Sequence, residues 1–273
     1  MRNRSYVEGE NLILELRSLE GRLERASEAA ADMIRLKVDV ILATQNSVIR
    51  DAKRVTTAIP IVMLGTDGPV EEGLVTSLAR PGGNVTGLSA DPGREIYRKR
   101  LELLKAAVPG VSRVAFIGSD KDWKGEQGQG ARAAAQQLGL AMLLAESVAN
   151  DYAAAFAVVA NERANGIFVA SGSQNYVYRR LVAEFASKMR LPAIYPSVES
   201  VEAGGLMAYG VDIRDDFRRA AIYVDRILKG ATPSELPIER PSKFELVLNL
   251  KAAKALGLTF PQSVLLRADR VIE

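Results

Sequence analysis

Arg113-Val-Ala-Phe-Ile-Gly118 is a short β-branched and aromatic run with no charge after its first residue. An amphipathic stretch near 126–138 follows, then the apolar run Met142–Glu146, a helical pattern over 152–163, Gly166-Ile-Phe-Val-Ala170, a second helical pattern over 177–189, and Leu191-Pro-Ala-Ile-Tyr195. Short apolar strands alternating with helical segments predict βαβ units and a parallel sheet. The same alternation extends upstream. Ile13–Leu16 is a strand candidate, and Leu23, Ala26, Ala30 and Met33 share one helical face. Strands at 38–43 and 59–64 flank a helix near 47–57, and a short helix is expected at 70–78. It ends at the breaker cluster Ala79-Arg-Pro-Gly-Gly-Asn84, after which 84–89 is extended and a long helix carries Tyr97, Leu101, Leu104 and Val108. Downstream, Phe217, Ala220, Ala221, Val224, Ile227 and Leu228 line one face of a helix that Gly230 stops, and a strand at 244–248 precedes a helix at 250–256. These are too many strands for one small sheet. The fold class is therefore α/β, with two doubly wound, Rossmann-like lobes.

Composition narrows the chemistry. The 273 residues are 48% apolar, and 36 Lys plus Arg against 33 Asp plus Glu leave a net charge of +3, too thin a surplus to imply nucleic acid. With no His, a Ser-His-Asp triad and a His-ligated metal are excluded; with no Cys, so are thiolate nucleophiles, disulfides and zinc knuckles. Acid–base chemistry would have to rest on Asp, Glu, Lys or Tyr, and no metal site or cofactor is expected. No run approaches the roughly 18–20 apolar residues of a membrane-spanning helix, and no export signal is read in the sequence as it stands.

Open α/β sheets bind ligands beyond the carboxyl ends of their strands. The residues there are small and polar: Thr44, Gln45, Asn46 and Ser47; Thr66 and Asp67; Ser119 and Asp120; Ser171, Ser173, Gln174 and Asn175; Tyr195 and Ser197. Any one of them can simply cap the helix that begins there. Their recurrence at five strand ends favours a binding cleft. Trp123, the only tryptophan, lies in the polar run Lys121–Lys124 and is expected in that cleft rather than in the core, where its ring can stack on a ligand. Arg94–Arg100 reads as a solvated helix face. The rival reading is enzymatic: Gly128-Gln-Gly130-Ala-Arg-Ala133 fits G-x-G-x-x-A, and Glu146 ends the next strand, as in an NAD(P)-dependent oxidoreductase. The glycines are displaced from the strand end by 119–126, which speaks against a pyrophosphate site.

Several segments together resemble a known family. They are Tyr6-Val-Glu-Gly-Glu-Asn11, Gly73 through Ser89 with its Ala79-Arg-Pro-Gly-Gly-Asn84 core, Leu191-Pro-Ala-Ile-Tyr-Pro196, Gly204-Gly-Leu-Met-Ala-Tyr-Gly210, Ala221 through Gly230 and Pro241-Ser-Lys-Phe-Glu-Leu246. The chain resembles, over nearly its whole length, ABC transporter substrate-binding proteins of the tryptophan/tyrosine type, with the type I periplasmic binding protein fold. The resemblance implies two lobes joined by a three-crossover hinge, closing over a small polar or amino-acid-like ligand, often aromatic, and delivering it to a membrane permease. It implies a periplasmic location and no enzymatic activity; a soluble sensor on the same fold is the other non-enzymatic alternative. Lobe one is expected at 1–90 plus about 209–230, and lobe two at 91–208 plus about 231–273. The ligand-facing residues implied are Thr44, Asn46, Ser47, Thr66 and Asp67, with Ser119, Gln174 and Asn175 opposite; Trp123 and Tyr195 are added from strand-end position, and Tyr209 and Asp212 lie at a crossover. Relatives carry a strand and helix ahead of a segment like Tyr6–Asn11. The expectation is thus that lobe one lacks its first strand, leaving strand edges through which a second chain can pair and Asn11–Leu16 poorly anchored.

Overall fold

The computed structural model describes residues 1, 4–19, 22–66, 68–89, 93–148 and 151–273. The chain folds into two compact units: Met1–Asp91 with Asp212–Lys243, and Pro92–Val211 with Phe244–Glu273. In chain order the first holds α1 (Ala26–Arg35), β1 (Ile41–Thr44), α2 (Asn46–Val55), β2 (Ile61–Thr66) and β3 (Val85–Ser89). The second holds α3 (Glu95–Ala107), β4 (Arg113–Gly118), α4 (Asp120–Lys124), α5 (Glu126–Gln137), β5 (Ala141–Glu146), α6 (Ala153–Asn161), β6 (Gly166–Val169), α7 (Ser173–Val177), α8 (Arg179–Lys188), β7 (Ala193–Tyr195), α9 (Val198–Glu202) and β8 (Met207–Val211). The chain then returns to the first unit for α10 (Ile213–Leu228). It ends in the second with β9 (Phe244–Asn249), α11 (Leu250–Ala255), α12 (Gln262–Leu265) and β10 (Arg270–Ile272).

The second unit is a seven-stranded sheet of order β10-β9-β8-β7-β6-β4-β5, parallel throughout except for the antiparallel β8–β9 pair. Successive side chains of a strand point to opposite faces. Val114 and Phe116 therefore pack with Leu101, Leu104, Ala131 and Ala135 of α3 and α5, while Ala115 and Ile117 pack with Val159 and Val182 of α6 and α8. That two-sided burial is why β4 reads as a continuous apolar run.

The first unit is smaller. Its sheet is β1-β2-β3, all parallel. One face carries Ile41, Ile61 and Met63 against Ile49 and Ala52 of α2; the other carries Val62, Leu64 and Leu88 against Ala220 and Tyr223 of α10. That packing is why the returning segment belongs here. The expected break near 230 moves to Lys243, because 236–240 runs beside β3: the Thr86 hydroxyl donates to the Leu236 carbonyl at 2.7 Å, and Leu88 pairs with Glu239 in parallel.

Three expectations change. Ile13–Leu16 is not a strand: Ile13, Leu14 and Leu16 are 82%, 60% and 85% exposed, and apolar alternation without a neighbouring strand forms no ladder. Residues 69–73 form successive turns rather than a helix, closed by the Glu72 and Leu74 amides on the Gly68 and Pro69 carbonyls. Phe217 is 49% exposed, at the solvent side of α10 rather than in its packed face.

The packed side of α10 holds a buried carboxylate. Burial pushes Asp216 up from the usual 3.8 to about 6; Arg219, 3.8 Å away, pulls it down, and Asp215 and Asp212 add to the rise. The folded state thus binds this proton more tightly than the unfolded chain. Its contribution to stability is complete below about pH 3.8 and is lost as pH rises through about 6. Relative to Asp216→Asn, the wild-type protein should lose roughly 2 kcal/mol between pH 4 and pH 7 in urea unfolding. Asp212 and Glu239, whose carboxyls are held below the usual range, act in the opposite sense in both proteins and cancel from the difference.

Candidate functional site

In the second unit β4 lies between β5 and β6, so the strand order reverses there, and the region beyond the carboxyl ends of β4 and β6 is where sheets of this kind take ligands. Ser119 follows β4. It caps α4 with a reciprocal pair, its hydroxyl accepting from the Asp122 amide at 3.1 Å and its own amide donating to the Asp122 carboxylate at 3.0 Å. Trp123 is half-buried. Its ring meets Phe116 edge-on, centroids 5.4 Å apart, and the Arg132 guanidinium lies 4.1 Å from its centroid. The indole thus joins the rim of the α3/α5-side core, contrary to its expected separation from core, because α4 turns it back over β4.

After β6 the chain is fastened rather than free. Gln127 clamps Ser171 in both directions, its amide donating to the Ser171 carbonyl at 2.9 Å and its oxygen accepting from the Ser171 amide at 2.8 Å. Asn175 is buried. Its side-chain amide donates to the Ile117 and Ala170 carbonyls, and its oxygen accepts from the Tyr152 hydroxyl at 2.7 Å. Asn175 is thereby corrected from ligand group to internal tie: every atom it could offer a ligand is engaged in joining β4 to the β6–α7 loop. Burial pushes the Tyr152 phenol up to about 12, so it stays a neutral donor to that tie. Gln174, beside it, is half-buried.

Tyr195 is also corrected. It is fully buried among Val182, Ala183 and Val201 on the α6/α8 face, and burial alone drives its phenol well above the ordinary value. Tyr209 is half-buried on the other face, its ring stacked on Phe244 at 5.9 Å.

In the first unit, Thr44 at the end of β1 is exposed, and Asn46 and Ser47 in the first turn of α2 are half-buried. Gln45 between them has φ of 68°, a left-handed conformation uncommon for a side-chain-bearing residue. Thr66 is corrected: it is wholly buried, its hydroxyl turned to the Met63 sulfur at 3.3 Å and its carbonyl accepting from the Ser89 hydroxyl. Asp67 lies outside the described residues. Asp212, at the start of the returning segment, is buried and caps α10 by accepting from the Asp215 amide at 3.1 Å. Burial alone would raise its carboxyl, but Lys243 at 2.8 Å and that amide outweigh it and hold it below the usual range.

Sequence reasoning missed Arg100 and Gln127. Arg100 is 2% exposed, not part of a solvated face; its Nε donates to the Tyr209 carbonyl at 2.7 Å and its Nη1 to the Ser171 hydroxyl at 3.2 Å. The signal was present, since Arg100 stands four residues after Ile96 and four before Leu104, on the inward stripe.

The dinucleotide reading loses its glycines to packing. A Cβ at Gly128 would overlap the Trp123 carbonyl, and one at Gly130 would fall 2.6 Å from the Tyr97 ring. They let α5 press on α4 and α3. The helix directly after β4 is the five-residue α4, whose Asp122 amide is taken by Ser119 and whose first turn carries the Asp120 and Asp122 carboxylates, charges that repel a pyrophosphate. Among the described residues no cluster of three or more acidic side chains could hold a metal, and no helix is long and apolar enough to cross a membrane.

A parallel sheet with a topological switch point, polar strand ends and a chain passing repeatedly between two α/β units defines a ligand-binding protein of the periplasmic type. The chain belongs to the ABC transporter substrate binding protein family, which it matches over residues 1–272. It is 23% identical over 260 residues to a tyrosine-binding protein of Clostridioides difficile (strain R20291), covering 94% of this chain and 74% of that one. Among solved structures it is similar to a conserved domain protein from Vibrio cholerae, at 25% identity and a TM-score of 0.88, covering 99% of this chain and 90% of that one. It is similar also to an ABC domain in complex with L-Trp from Streptococcus pneumoniae, at 25% identity and 0.85, covering 99% and 92%. The fold is that of the type I periplasmic binding proteins.

Proposed function

We propose that this chain is the solute receptor of an ABC importer, taking an amino-acid-like ligand with an aromatic side chain. The observation that carries the reading is the switch point at β4 and β6 in a chain of this family, where polar residues follow the strands without any nucleophile–base pair among the described strand-end residues. The tyrosine-binding and L-Trp-bound relatives support the ligand class. Thr44, Asn46 and Ser47 within the first unit, and Ser119 and Gln174 within the second, are the strand-end groups suited to a ligand's polar head; Asp67, which the resemblance implies is ligand-facing, suits an ammonium by its charge. The protein works outside the cytoplasmic membrane and hands its ligand to a permease.

A thermal-shift panel tests this. L-tyrosine or L-tryptophan should raise the melting temperature by several degrees at 100 times Kd, equivalent to about 2.7 kcal/mol, while NAD(P) should leave it unmoved. Stabilisation by NAD(P) alone would replace the receptor with the oxidoreductase. As the only tryptophan, Trp123 should report binding through its emission, since it stands one turn from Ser119.

A further inference from the structure

The chain leaves the second unit at Val211 and re-enters it at Phe244, so Asp212 and Lys243 are the first and last residues of the returning segment. They meet. In the antiparallel β8–β9 ladder the outermost registered pair is Val211 with Phe244, and the next residues outward continue it, the Asp212 amide donating to the Lys243 carbonyl at 3.1 Å. On that rung the Lys243 ammonium lies 2.8 Å from Oδ2 of Asp212. The other carboxylate oxygen of Asp212 accepts from the Asp215 amide and so fixes the start of α10. Asp212 is buried, whereas the Lys243 side chain is about half exposed.

We propose that Asp212 and Lys243 are positioning residues that clasp two of the chain's crossovers into one ribbon and thereby set the hinge equilibrium on which ligand affinity depends, without either residue touching the ligand. This rests on the receptor reading above only for its ligand arm. The physical case is local. Two strands that pass a unit boundary separately can twist independently; two strands joined by a backbone bond and an ion pair on the same rung must bend together. A hinge that bends as one element restricts the unliganded ensemble, and apparent affinity scales with the fraction of molecules already able to bind. The carboxylate also orients the first turn of α10, so the helix follows the ribbon. Because Lys243 is partly solvated, the ion pair itself contributes little to global stability. That separates a hinge role from a merely structural one.

The test uses the whole chain. Asp212→Asn keeps an oxygen for the Asp215 amide and removes the charge; Lys243→Met keeps the carbonyl that accepts from Asp212 and removes the ammonium; Lys243→Arg keeps the cation. Hydrogen exchange of the unliganded protein, followed at the Asp212 amide, should quicken at least tenfold in the first two variants and stay near wild type in Lys243→Arg. Amides of β4 should be unchanged, and the melting temperature should move by less than about 3 °C. L-tyrosine and L-tryptophan serve as ligand probes. Whichever binds the wild-type protein should bind Asp212→Asn and Lys243→Met about fivefold more weakly through faster dissociation, with Lys243→Arg restoring affinity. Unchanged exchange at Asp212 in both charge-removing variants would overturn the clasp. Quickened exchange with unaltered affinity would overturn its role in the hinge. If neither amino acid binds the wild-type protein, the ligand class fails, and the exchange comparison still decides the clasp.

Discussion

Replacing Asn175 by alanine is expected to destabilise the second unit by about 3–5 kcal/mol and to lower the urea midpoint without changing the slope. The side chain makes three buried hydrogen bonds, to the Ile117 carbonyl, the Ala170 carbonyl and the Tyr152 hydroxyl. Alanine removes all three and supplies nothing; the Ile117 carbonyl keeps the Ala170 amide as a donor, so the cost falls mainly on the Ala170 carbonyl and the phenol, at about 1–3 kcal/mol each, with the lost packing added. Asn175→Asp should be as harmful at neutral pH: a carboxylate cannot donate to two carbonyls, and a charge would be buried beside them. Tyr152→Phe leaves both Asn175 bonds to the backbone carbonyls in place and should cost about 1 kcal/mol. In the double variant Tyr152→Phe, Asn175→Ala the losses should fall short of their sum, because the phenol and the amide share one interaction. If Asn175→Ala unfolded like wild type but lost ligand affinity, the residue would face the ligand and the tie would be incidental.

Asn175 also shows how far the sequence could be read. Its position after β6 followed from strand periodicity, and that periodicity located the parallel sheet of the second unit, since strands buried on both faces have few ways to be written. Side-chain direction did not follow. A polar residue just beyond a strand can cap, tie or face a ligand, and the choice depends on which carbonyls of the neighbouring strand come within its reach, which no local pattern records. Thr66 and Tyr195 illustrate the same gap: both end strands, and both turn into the core. Arg100 is the converse. Its charge suggested solvent while its helical phase placed it inward, and phase prevailed because the Tyr209 carbonyl and Ser171 hydroxyl receive its donors. Gly128 mimicked a nucleotide motif because close helix packing and close phosphate approach demand the same missing Cβ. Lys243 was legible only as part of a family-like run; its partner stands 31 residues earlier in sequence.

Gly87→Ala should have a comparable effect on the other unit, about 3–5 kcal/mol, through two mechanisms that add. Gly87 sits in the interior of β3 with φ of 129°, where a side-chain-bearing residue is strained by roughly 1–2 kcal/mol. A Cβ there would also overlap the Met63 carbonyl oxygen and lie 2.8 Å from the Met63 nitrogen, both on the neighbouring strand. Backbone cannot rotate aside like a side chain, so β2 and β3 must separate. Overpacking of that kind adds typically 1–3 kcal/mol. Among the described residues three strands form this sheet, and β2 is its centre, so disturbing the β2–β3 ladder reaches each of them. The seven-stranded sheet of the second unit has no part in that ladder. Hydrogen exchange should therefore show Val62–Leu64 and Val85–Leu88 losing protection while Val114–Ile117 retain theirs, a sub-global opening rather than a uniform loss. Gly110→Ala is the control, since its Cβ would meet nothing within 4 Å and its φ is not positive; it should change stability by less than about 0.5 kcal/mol. Equal loss of protection in β2 and β4 on Gly87→Ala would mean that the two units unfold as one, and the division of the chain into separately cooperative sheets would have to be abandoned.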